Sequence, residues 1–342
     1  MVLGTGNMAK NHVKHFAEQP GVTVVGAVDV RPEVLAKFQE THGIAKGFDS
    51  LEAALSWGEF DAVANVTPDN MHHKTTMLAI AAGKHVFCEK PLAVNYLDAK
   101  EMADSAEKAG LINMVNLTYR NVAELQKVRQ LVRDGAIGKV RHVEASYLQS
   151  WLTQPKWGEW TTDPTWLWRL SRKHGSNGVL GDIGIHILDF ASYGANSEIK
   201  DATCRLQTFH KAPGDKIGDY DLDANDSFAM TVEFENGAIG VVHASRFATG
   251  HLNDLRLCVY GTTGAIEVTH APHGNTLRIT EGEDIKVPAW KDVAADKVET
   301  NYVRFIRALR EKKNLEPSFA HAANLQKLLD LGLATEGQKP LA

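Results

Sequence analysis

A lysine between a glutamate and a proline is the first place where the sequence could carry out chemistry. The tetrapeptide Cys88-Glu89-Lys90-Pro91 follows a short apolar run, and the carboxyl end of a parallel strand faces the crevice where open α/β sheets bind ligands. Pro91 disfavours the helical conformation for the residue before it, so Lys90 is expected to be extended. Burial or the nearby carboxylate of Glu89 could tune the amine for proton transfer. The alternative is a solvated lysine in a surface turn.

A second group that could do chemistry lies in the stretch Gly181-Asp182-Ile183-Gly184-Ile185-His186. If this stretch is helical, Asp182 and His186 are four residues apart and project from one face. A carboxylate one turn away can orient an imidazole and stabilise its protonated form, as an acid-base pair requires. The alternative is a helix that Asp182 caps, with an incidental histidine.

The opening residues Gly4-Thr5-Gly6-Asn7-Met8-Ala9 match the G-x-G-x-x-G/A dinucleotide fingerprint. Gly4 is expected to make the tight turn, Gly6 to let the backbone approach a pyrophosphate, and Ala9 to allow close helix packing. The N-terminus of the following helix offers free N–H groups to the anion. Only two or three strand residues precede Gly4, where about five are usual, so either the strand is clipped or the numbering starts late.

An aspartate at the end of the next expected strand bears on the choice of cofactor. Asp29 follows the strand expected over residues 23–28, and an acidic residue about 20 residues beyond the glycines can accept hydrogen bonds from the ribose hydroxyls of NAD. Its charge would repel the 2'-phosphate of NADP, whereas Arg31 could bind that phosphate. The sequence therefore predicts NAD as the preferred cofactor, with NADP possible. The alternative role for Asp29 is a turn or cap before Pro32.

Alternation of strands and helices in the first third predicts a doubly wound parallel sheet. Thr67-Pro68 ends one strand as Glu89-Lys90-Pro91 ends the next, so both prolines should lie on the rim where the nicotinamide end of a cofactor rests. His72 is expected to cap or contact the loop that binds the cofactor, and His73 is expected to be exposed. A shared metal ion is not expected, because neighbouring residues on a helix point about 100° apart. The other expected strands cover residues 60–66, 85–88 and 111–115, and the helices cover residues 70–82 and 95–109.

The rest of the chain predicts a different architecture. After a helix that ends near Asp134, successive strands with few helices between them indicate a largely antiparallel sheet in an α+β domain. One face of this sheet would stay open for self-association. The expected domains are residues 1–118 and 119–342, and the fold class is α/β plus α+β. The expected strands cover residues 140–148, 202–208, 227–234, 238–245, 254–260, 265–269 and 276–279.

A concentration of tryptophans leaves two interpretations open. Five of the seven tryptophans lie between Trp151 and Trp168. They form either a satellite hydrophobic cluster beneath a long loop or a pocket wall that covers the C–H faces of a sugar while Arg169 reaches its hydroxyls. The loop over residues 210–223 carries four aspartates without the calcium-loop pattern, and this predicts a solvated loop.

Composition excludes several classes of partner. The 342 residues carry a net charge of -5 and no long basic run, so neither nucleic acid nor an anionic membrane is expected as a partner. No signal peptide or bilayer-length apolar run is present, and this predicts a cytoplasmic location. Cys88, Cys204 and Cys258 lack the spacing of a disulfide framework or zinc site, so we expect reduced thiols and no bound metal.

The glycine fingerprint, Thr67-Pro68 with His72, Cys88-Glu89-Lys90-Pro91, and Gly181-Asp182 with His186 together resemble the glucose-fructose oxidoreductase and inositol dehydrogenase (Gfo/Idh/MocA) family. The resemblance covers nearly the whole chain. It implies a Rossmann domain that binds NAD(P), followed by an α/β domain with an open sheet for substrate binding and oligomerisation. Sugar or cyclitol substrates would bind between the domains, and members associate as homodimers or homotetramers through the open sheet. The residues matching Lys90, Asp182 and His186 would be the catalytic set.

The predicted activity is an NAD(P)-dependent dehydrogenase that oxidises a secondary hydroxyl of a sugar, sugar derivative or inositol by hydride transfer. His186 is expected to be the base and Lys90 to stabilise the charge developing on the oxygen, although the two could exchange duties. The residues expected to bind the cofactor are Gly4, Gly6, Asn7, Met8, Asp29, Arg31, Thr67, Pro68, His72, Glu89, Lys90 and Asn116. Those expected to bind substrate are Lys90, Arg120, Trp168, Arg169, Asp182 and His186, with Arg246 as a further pocket group.

Two other functions fit the same motifs. The first is a redox-assisted glycoside-cleaving enzyme that retains its NAD throughout the cycle. The second is a non-enzymatic regulator that binds a dinucleotide and acts on a protein partner.

Overall fold

The chain forms two units in the computed structural model, which describes residues 1–287 and 289–335. The first unit comprises Met1–Thr118 and Glu299–Lys327. The second comprises Tyr119–Val298 and residues 328–335.

The first unit contains a parallel sheet with the strand order β3-β2-β1-β4-β5-β6. The order reverses between β1 and β4, as in the Rossmann dinucleotide-binding fold, so the predicted doubly wound sheet is confirmed. The strands are β1 (Val2–Leu3), β2 (Gly26–Val28), β3 (Lys46–Phe48), β4 (Ala62–Asn65), β5 (His85–Cys88) and β6 (Asn113–Val115). The helices are α1 (Asn7–Ala17), α2 (Pro32–His42), α3 (Leu51–Trp57), α4 (His72–Ala81) and α5 (Tyr96–Lys108).

Strand β2 begins three residues later than the expected strand over residues 23–28. Its central neighbour β1 offers only Val2 and Leu3 for pairing, opposite Ala27 and Val28. Backbone groups that lack a partner strand cannot form a ladder, so residues 23–25 are not part of the sheet. Residues 22–25 and 59–64 line a cavity of about 540 Å³ beside β1.

The second unit contains an eight-stranded sheet with the order β16-β15-β14-β13-β7-β12-β11-β8. Only the β7–β12 pair is parallel among the pairs of this sheet, so the predicted largely antiparallel sheet is confirmed. Its strands are β7 (Val140–Gln149), β8 (Ile199–Gln207), β11 (Ser227–Phe234), β12 (Ile239–Ser245), β13 (Asn253–Gly261), β14 (Gly264–Ala271), β15 (Gly274–Glu281) and β16 (Lys291–Asp292). Strands β9 (Lys216–Ile217) and β10 (Tyr220–Asp221) form a separate two-stranded sheet. The helices are α6 (Ala123–Arg133), α7 (Pro164–Leu167) and α8 (Ile185–Gly194).

One face of the eight-stranded sheet is buried and the other is accessible. Helix α8 packs on β7, β12 and β13, and it is buried along most of its length. Strands β11 and β12 alternate between buried and accessible side chains, as a half-covered antiparallel sheet requires. Ile239 and Val241 are apolar residues on the accessible face.

The C-terminal helix α9 (Asn301–Glu311) and the first half of α10 (Phe319–Ala334), up to Lys327, belong to the first unit. Tyr302 and Phe305 on α9 pack edge-on against Phe16 of α1, and both also contact Phe87 of β5. The sequence alone predicts these residues in the second domain. Packing between aromatic side chains some 200 to 290 positions apart cannot be read from local periodicity.

A buried ion pair connects the segment before α6 to α8. The guanidinium of Arg120 donates to the carboxylate of Asp189 at 2.6, 2.9 and 3.0 Å, and both side chains are almost fully buried. The ring of Tyr193 covers the guanidinium at 4.1 Å. Arg120 is among the residues expected to bind substrate. In the structure it lies in the core of the second unit, where it donates to a buried carboxylate.

In the described part of the chain, every helix is too short or too polar to span a bilayer.

We predict that Asp189→Asn lowers the free energy of unfolding by about 3 to 5 kcal/mol, because removal of one charge leaves the other buried without its partner. Urea unfolding followed by circular dichroism measures the change. The matched control is Asp104→Asn, which breaks the exposed Lys100–Asp104 pair on α5 and should leave the unfolding curve unchanged. Equal midpoints for the two variants would contradict a structural role for the buried pair.

Candidate active site

The loop between β1 and α1 has the geometry of a dinucleotide cradle. Gly4 has φ +88°, and a Cβ atom there would lie 2.7 Å from the carbonyl oxygen of Val66, so only glycine fits. Apart from Gly6 and its two neighbours in the chain, no other part of the described residues lies within 4 Å of a Cβ atom placed at Gly6. Packing within the protein therefore does not demand a glycine at position 6, whereas close approach of a pyrophosphate to the backbone does.

The N-terminus of α1 completes this cradle. The helix begins at Asn7 with Gly6 as its cap, and Gly6, Asn7 and Met8 are exposed. The first N–H groups of a helix lack intrahelical partners and carry partial positive charge. These residues fit NAD, which supplies an oxidised nicotinamide that accepts hydride when bound.

Asp29 is a buried anion at the end of β2. Its Oδ2 accepts hydrogen bonds from the backbone N–H and hydroxyl of Thr5 at 3.1 and 2.6 Å. Its Oδ1 accepts from the backbone N–H and Nε of Arg31, both at 3.0 Å, and Nη2 of Arg31 donates to Oδ2 at 3.1 Å. Burial raises the pKa of Asp29, but the hydrogen bonds from Arg31 and Thr5 outweigh it and hold the pKa well below its ordinary value.

The same contacts bear on cofactor choice. The side chain of Arg31 is 57% exposed and is held against Asp29, so binding a 2'-phosphate would require Arg31 to leave a charge-assisted, two-point contact. The ribose hydroxyls of NAD need no such rearrangement. Thr5 was not among the predicted site residues, although its position inside the glycine fingerprint was an available signal.

His72 joins the loops that follow β4 and β5. Its ring is buried, with Nε2 2.9 Å from the carbonyl oxygen of Thr67 and Nδ1 2.7 Å from that of Pro91. Carbonyl oxygens only accept, so both bonds form together only when both ring nitrogens carry protons. His72 was expected to contact the cofactor, but its burial makes it a link between the loops, while Thr67 and Pro68 remain accessible.

Glu89 lies in a buried hydrogen-bond network beneath Lys90. Its Oε1 is 2.6 Å from Nε2 of His12 and accepts from Nδ2 of Asn116 at 2.8 Å, and its Oε2 accepts the backbone N–H of Lys90 at 3.3 Å. Burial raises the pKa of Glu89, but the hydrogen bond and charge of His12 outweigh this, helped by Asn116 and Lys90, so the pKa lies below its ordinary value. The hydroxyl of Tyr302 accepts from Asn116 at 3.2 Å.

Two residues of this network, Glu89 and Asn116, are among those expected to bind the cofactor. Both are buried, and their hydrogen bonds fix the backbone at the end of β5. Lys90 itself is half-buried. His12 was missed, although a histidine six positions after Gly6 on the inner face of α1 was a visible signal.

In the second unit, Asp182 lies in a π-helical turn, Leu180–Gly184, that precedes α8. Such turns are frequent at functional sites. The stretch is therefore helical, with Asp182 in the π turn and His186 in the first turn of α8, which begins directly after it. Asn225 fixes the start of the turn, since its side-chain oxygen accepts the N–H of Leu180 at 3.0 Å.

Two arginines flank the carboxylate of Asp182. Arg246 Nη2 donates to Oδ2 at 2.9 Å, and Arg169 Nε lies 3.8 Å from the same oxygen. Arg246 is fully buried and also donates to the carbonyl oxygen of Arg169 at 3.0 Å. The expected pocket group Arg246 is therefore a support for Asp182, while the carboxylate itself remains 31% exposed.

His186 is buried against Tyr119, which was not among the predicted site residues. The ring of Tyr119 meets the imidazole edge to face, with centroids 5.1 Å apart and an interplanar angle of 88°. Tyr119 directly precedes Arg120 in the chain. No pattern in the sequence indicates that Tyr119 contacts His186 while Arg120 lies in the core.

The tryptophan segment shows features of both interpretations. Trp151 is buried with Leu152, Leu167, Leu170 and Leu222, and three further tryptophans pack against this cluster. Trp168 is 38% exposed, and its ring lies 4.6 Å from the guanidinium carbon of Arg169. A satellite cluster thus accounts for four tryptophans, and Trp168 and Arg169 lie at its accessible side.

One group of side chains in the described residues has the spacing of a metal site. His73, Asp98 and Glu101 each offer a ligand atom within 4.8 Å of the others. Nε2 of His73 is 2.8 Å from Glu101, whose side chain is mostly exposed, and Asp98 accepts a hydrogen bond from Asn95. Surface hydrogen bonding accounts for this group, and we assign it no metal.

Two family models match the chain. Residues 1–117 match the model described as "Oxidoreductase family, NAD-binding Rossmann fold", and residues 125–267 match "GFO/IDH/MocA C-terminal domain". The chain is 30% identical to 1,5-anhydro-D-fructose reductase of Ensifer adhaerens, over 82% of this chain and 80% of the relative. It is 26% identical to levoglucosan dehydrogenase of Pseudarthrobacter phenanthrenivorans, over 78% of this chain and 72% of the relative.

A solved structure is similar over almost the whole length. The complex of levoglucosan dehydrogenase with NADH and levoglucosan matches with a TM-score of 0.83 and 23% identity, covering 98% of this chain and 95% of that one. At this identity the likeness shows the fold.

We predict that Asp29→Ser weakens NAD binding and improves NADP binding, because Arg31 loses its carboxylate partner and becomes available to a 2'-phosphate. Fluorescence titration with NADH and NADPH measures both affinities. The control is Glu33→Ser, which removes the same charge from the first turn of α2 without touching Thr5. If the unmodified protein already prefers NADPH, the role given to Asp29 is wrong.

Proposed function

Because the chain belongs to the Gfo/Idh/MocA family of oxidoreductases, we propose that it is an NAD-dependent dehydrogenase acting on a secondary hydroxyl of a sugar, sugar derivative or inositol. The observation that carries the proposal is the cradle of Gly4 and Gly6 with the fixed anion Asp29 beside it. The similarity to levoglucosan dehydrogenase and to 1,5-anhydro-D-fructose reductase supports the substrate class. NADP remains the second choice of cofactor.

The proposed catalytic residues are Lys90, Asp182 and His186. His186 would take the hydroxyl proton as the substrate carbon gives up its hydride, leaving a carbonyl group. Lys90 would donate a hydrogen bond to the same oxygen and stabilise its developing negative charge. Asp182, held by Arg246, would stabilise the protonated imidazole.

The proposed roles of the two units follow from these residues. Residues 1–118 with 299–327 would bind the cofactor, and residues 119–298 would bind substrate. Trp168 and Arg169 are proposed substrate contacts, because an exposed ring and a guanidinium in contact present an apolar surface and hydrogen-bond donors to a sugar.

Assembly and location complete the proposal. Ile239 and Val241 on the accessible face of the eight-stranded sheet, 59% and 38% exposed, support a homodimer or homotetramer through that face. The three free cysteines fit a reducing compartment such as the cytoplasm.

The test is a screen for NAD and NADP reduction over aldoses, inositols, anhydrosugars and glycosides. We expect stoichiometric release of NADH, measured by its absorbance, with at least one member of these classes. Glycoside cleavage without NADH release would support the redox-assisted alternative. Nucleotide binding without any turnover would support a regulator.

Two variants test the residues. Lys90→Met and His186→Ala should each lower kcat by roughly 10²- to 10⁴-fold, the usual range for loss of positioned proton transfer, while NADH affinity measured by fluorescence stays unchanged. Lys100→Met on the exposed face of α5 is the matched control for Lys90→Met and should behave like the wild type. Wild-type turnover in either active-site variant would refute the role given to that residue.

A further inference from the structure

We propose that a row of polar and aromatic side chains on and just beyond β7 positions both members of the proposed acid-base pair. The row consists of Tyr147 and Gln149 on β7 and Trp151 just after the strand. Their partners are Tyr119, Asn253 and Arg246, and we call these six residues the β7 row. This inference rests on the proposed function, since it concerns Asp182 and His186. Residues of the β7 row that touch neither substrate nor cofactor are positioning residues.

The pleat of β7 brings the row together. Successive side chains of a strand point to opposite faces, so positions 147 and 149 share one face. That face is buried, as the alternating burial along β7 shows, and α8 packs on this strand. Trp151, two positions further, continues the row because its indole N–H donates to Oε1 of Gln149 at 3.1 Å.

At one end of the row, three groups form a closed triangle of hydrogen bonds. Nδ2 of Asn253 donates to the hydroxyl of Tyr119 at 3.1 Å, and the hydroxyl of Tyr147 donates to Oδ1 of Asn253 at 2.6 Å. The two hydroxyls are 2.5 Å apart. Since the single proton of Tyr147 goes to Asn253, the proton between the two tyrosines belongs to Tyr119.

The triangle has consequences for His186. Each donor in the triangle also accepts, and hydrogen bonds arranged in one direction around a closed ring strengthen one another. Burial raises the pKa of Tyr119 and raises that of Tyr147 well above its ordinary value, so both phenols stay protonated at working pH. The ring of Tyr119, fixed in this way, contacts the imidazole of His186 edge to face and restricts its orientation.

Gln149 joins the triangle to the other end of the row. Its Nε2 donates to Oδ1 of Asn253 at 2.8 Å, and its Oε1 accepts from Trp151. The face of Trp151 lies 5.0 Å from the guanidinium carbon of Arg246, a cation–π distance. Arg246 then donates to Asp182. One continuous series of contacts therefore runs from His186 to Asp182 without passing through either residue's own helix.

The proposed reaction requires a fixed distance and orientation between His186 and Asp182. A base and the carboxylate that supports it must keep a set geometry through the reaction, and a misplacement of about 1 Å can cost roughly 10²-fold in rate. The two residues lie on either side of the junction between a π turn and α8, so the helix alone does not impose a regular spacing. The β7 row supplies the restraint from outside the helix.

The first test removes hydroxyls from the triangle. Tyr147→Phe and Tyr119→Phe should each lower kcat by roughly ten- to hundred-fold, with NADH affinity and melting temperature unchanged. The double variant should lose no more than the single variants, because either change opens the same closed ring. The matched control is Tyr260→Phe on β13, whose hydroxyl lies near Glu144 at 3.5 Å, and it should keep wild-type turnover.

The outcomes separate this inference from the proposed function. If the tyrosine variants turn over like the wild type while His186→Ala is inactive, the β7 row has no positioning role and the proposed function stands. If His186→Ala is active, the acid-base assignment itself falls. If Tyr147→Phe melts at a lower temperature, Tyr119→Phe decides, because Tyr119 is only partly buried whereas Tyr147 is buried.

The second test addresses the other end of the row. Arg246→Lys keeps the charge beside Asp182 but cannot also reach the carbonyl oxygens of Arg169 and Gly178, so kcat should fall roughly ten-fold through loss of orientation. In an Asp182→Asn background the same change should have no further effect on kcat. Additive losses in the double variant would overturn the claim that Arg246 acts through Asp182.

Discussion

The parallel pairing of the six strands in the first unit is the constraint on which the rest depends. Parallel strands present their carboxyl ends at one edge of a sheet, and a reversal of strand order opens a crevice there. The reversal falls between β1 and β4, and Gly4, Asp29, Thr67 and Lys90 all follow strands of this sheet. Four side chains or turns that are distant in sequence therefore share one edge without any direct bond between them.

Carboxylates held by hydrogen-bond donors fix the orientation of the groups at the proposed site. A carboxylate removed from water is tolerated only where donors replace its hydration, and each donor sets a direction. The buried Glu89 is held by His12 and the buried Asp29 by Arg31. The partly exposed Asp182 is held in the same way by Arg246. The groups that the proposed chemistry needs are thus oriented by protein neighbours before any ligand binds, and such preorganisation is a main source of catalytic power.

Much of the fold followed from local patterns. The expected strands His85–Cys88 and Ser227–Phe234 match the structure residue for residue, because apolar runs bounded by turns and alternating burial are local properties. The exceptions have nonlocal causes. Strand β2 is short because β1 offers it few partners, and α9 joins the first unit because Tyr302 and Phe305 find an aromatic cluster far back in the chain.

The sequence alone determined the features that depend on one stretch of backbone: the glycine turn, the acidic residue after the second strand, and the lysine at the end of β5. The family resemblance rested on the same short motifs. Only the tertiary structure decided which polar side chains are accessible and which are committed to partners, as Arg120 and Arg246 are. The physical reason is that such partners, like Tyr119 with Asn253, are brought together by strand register and sheet packing, and periodicity in the sequence carries no record of either.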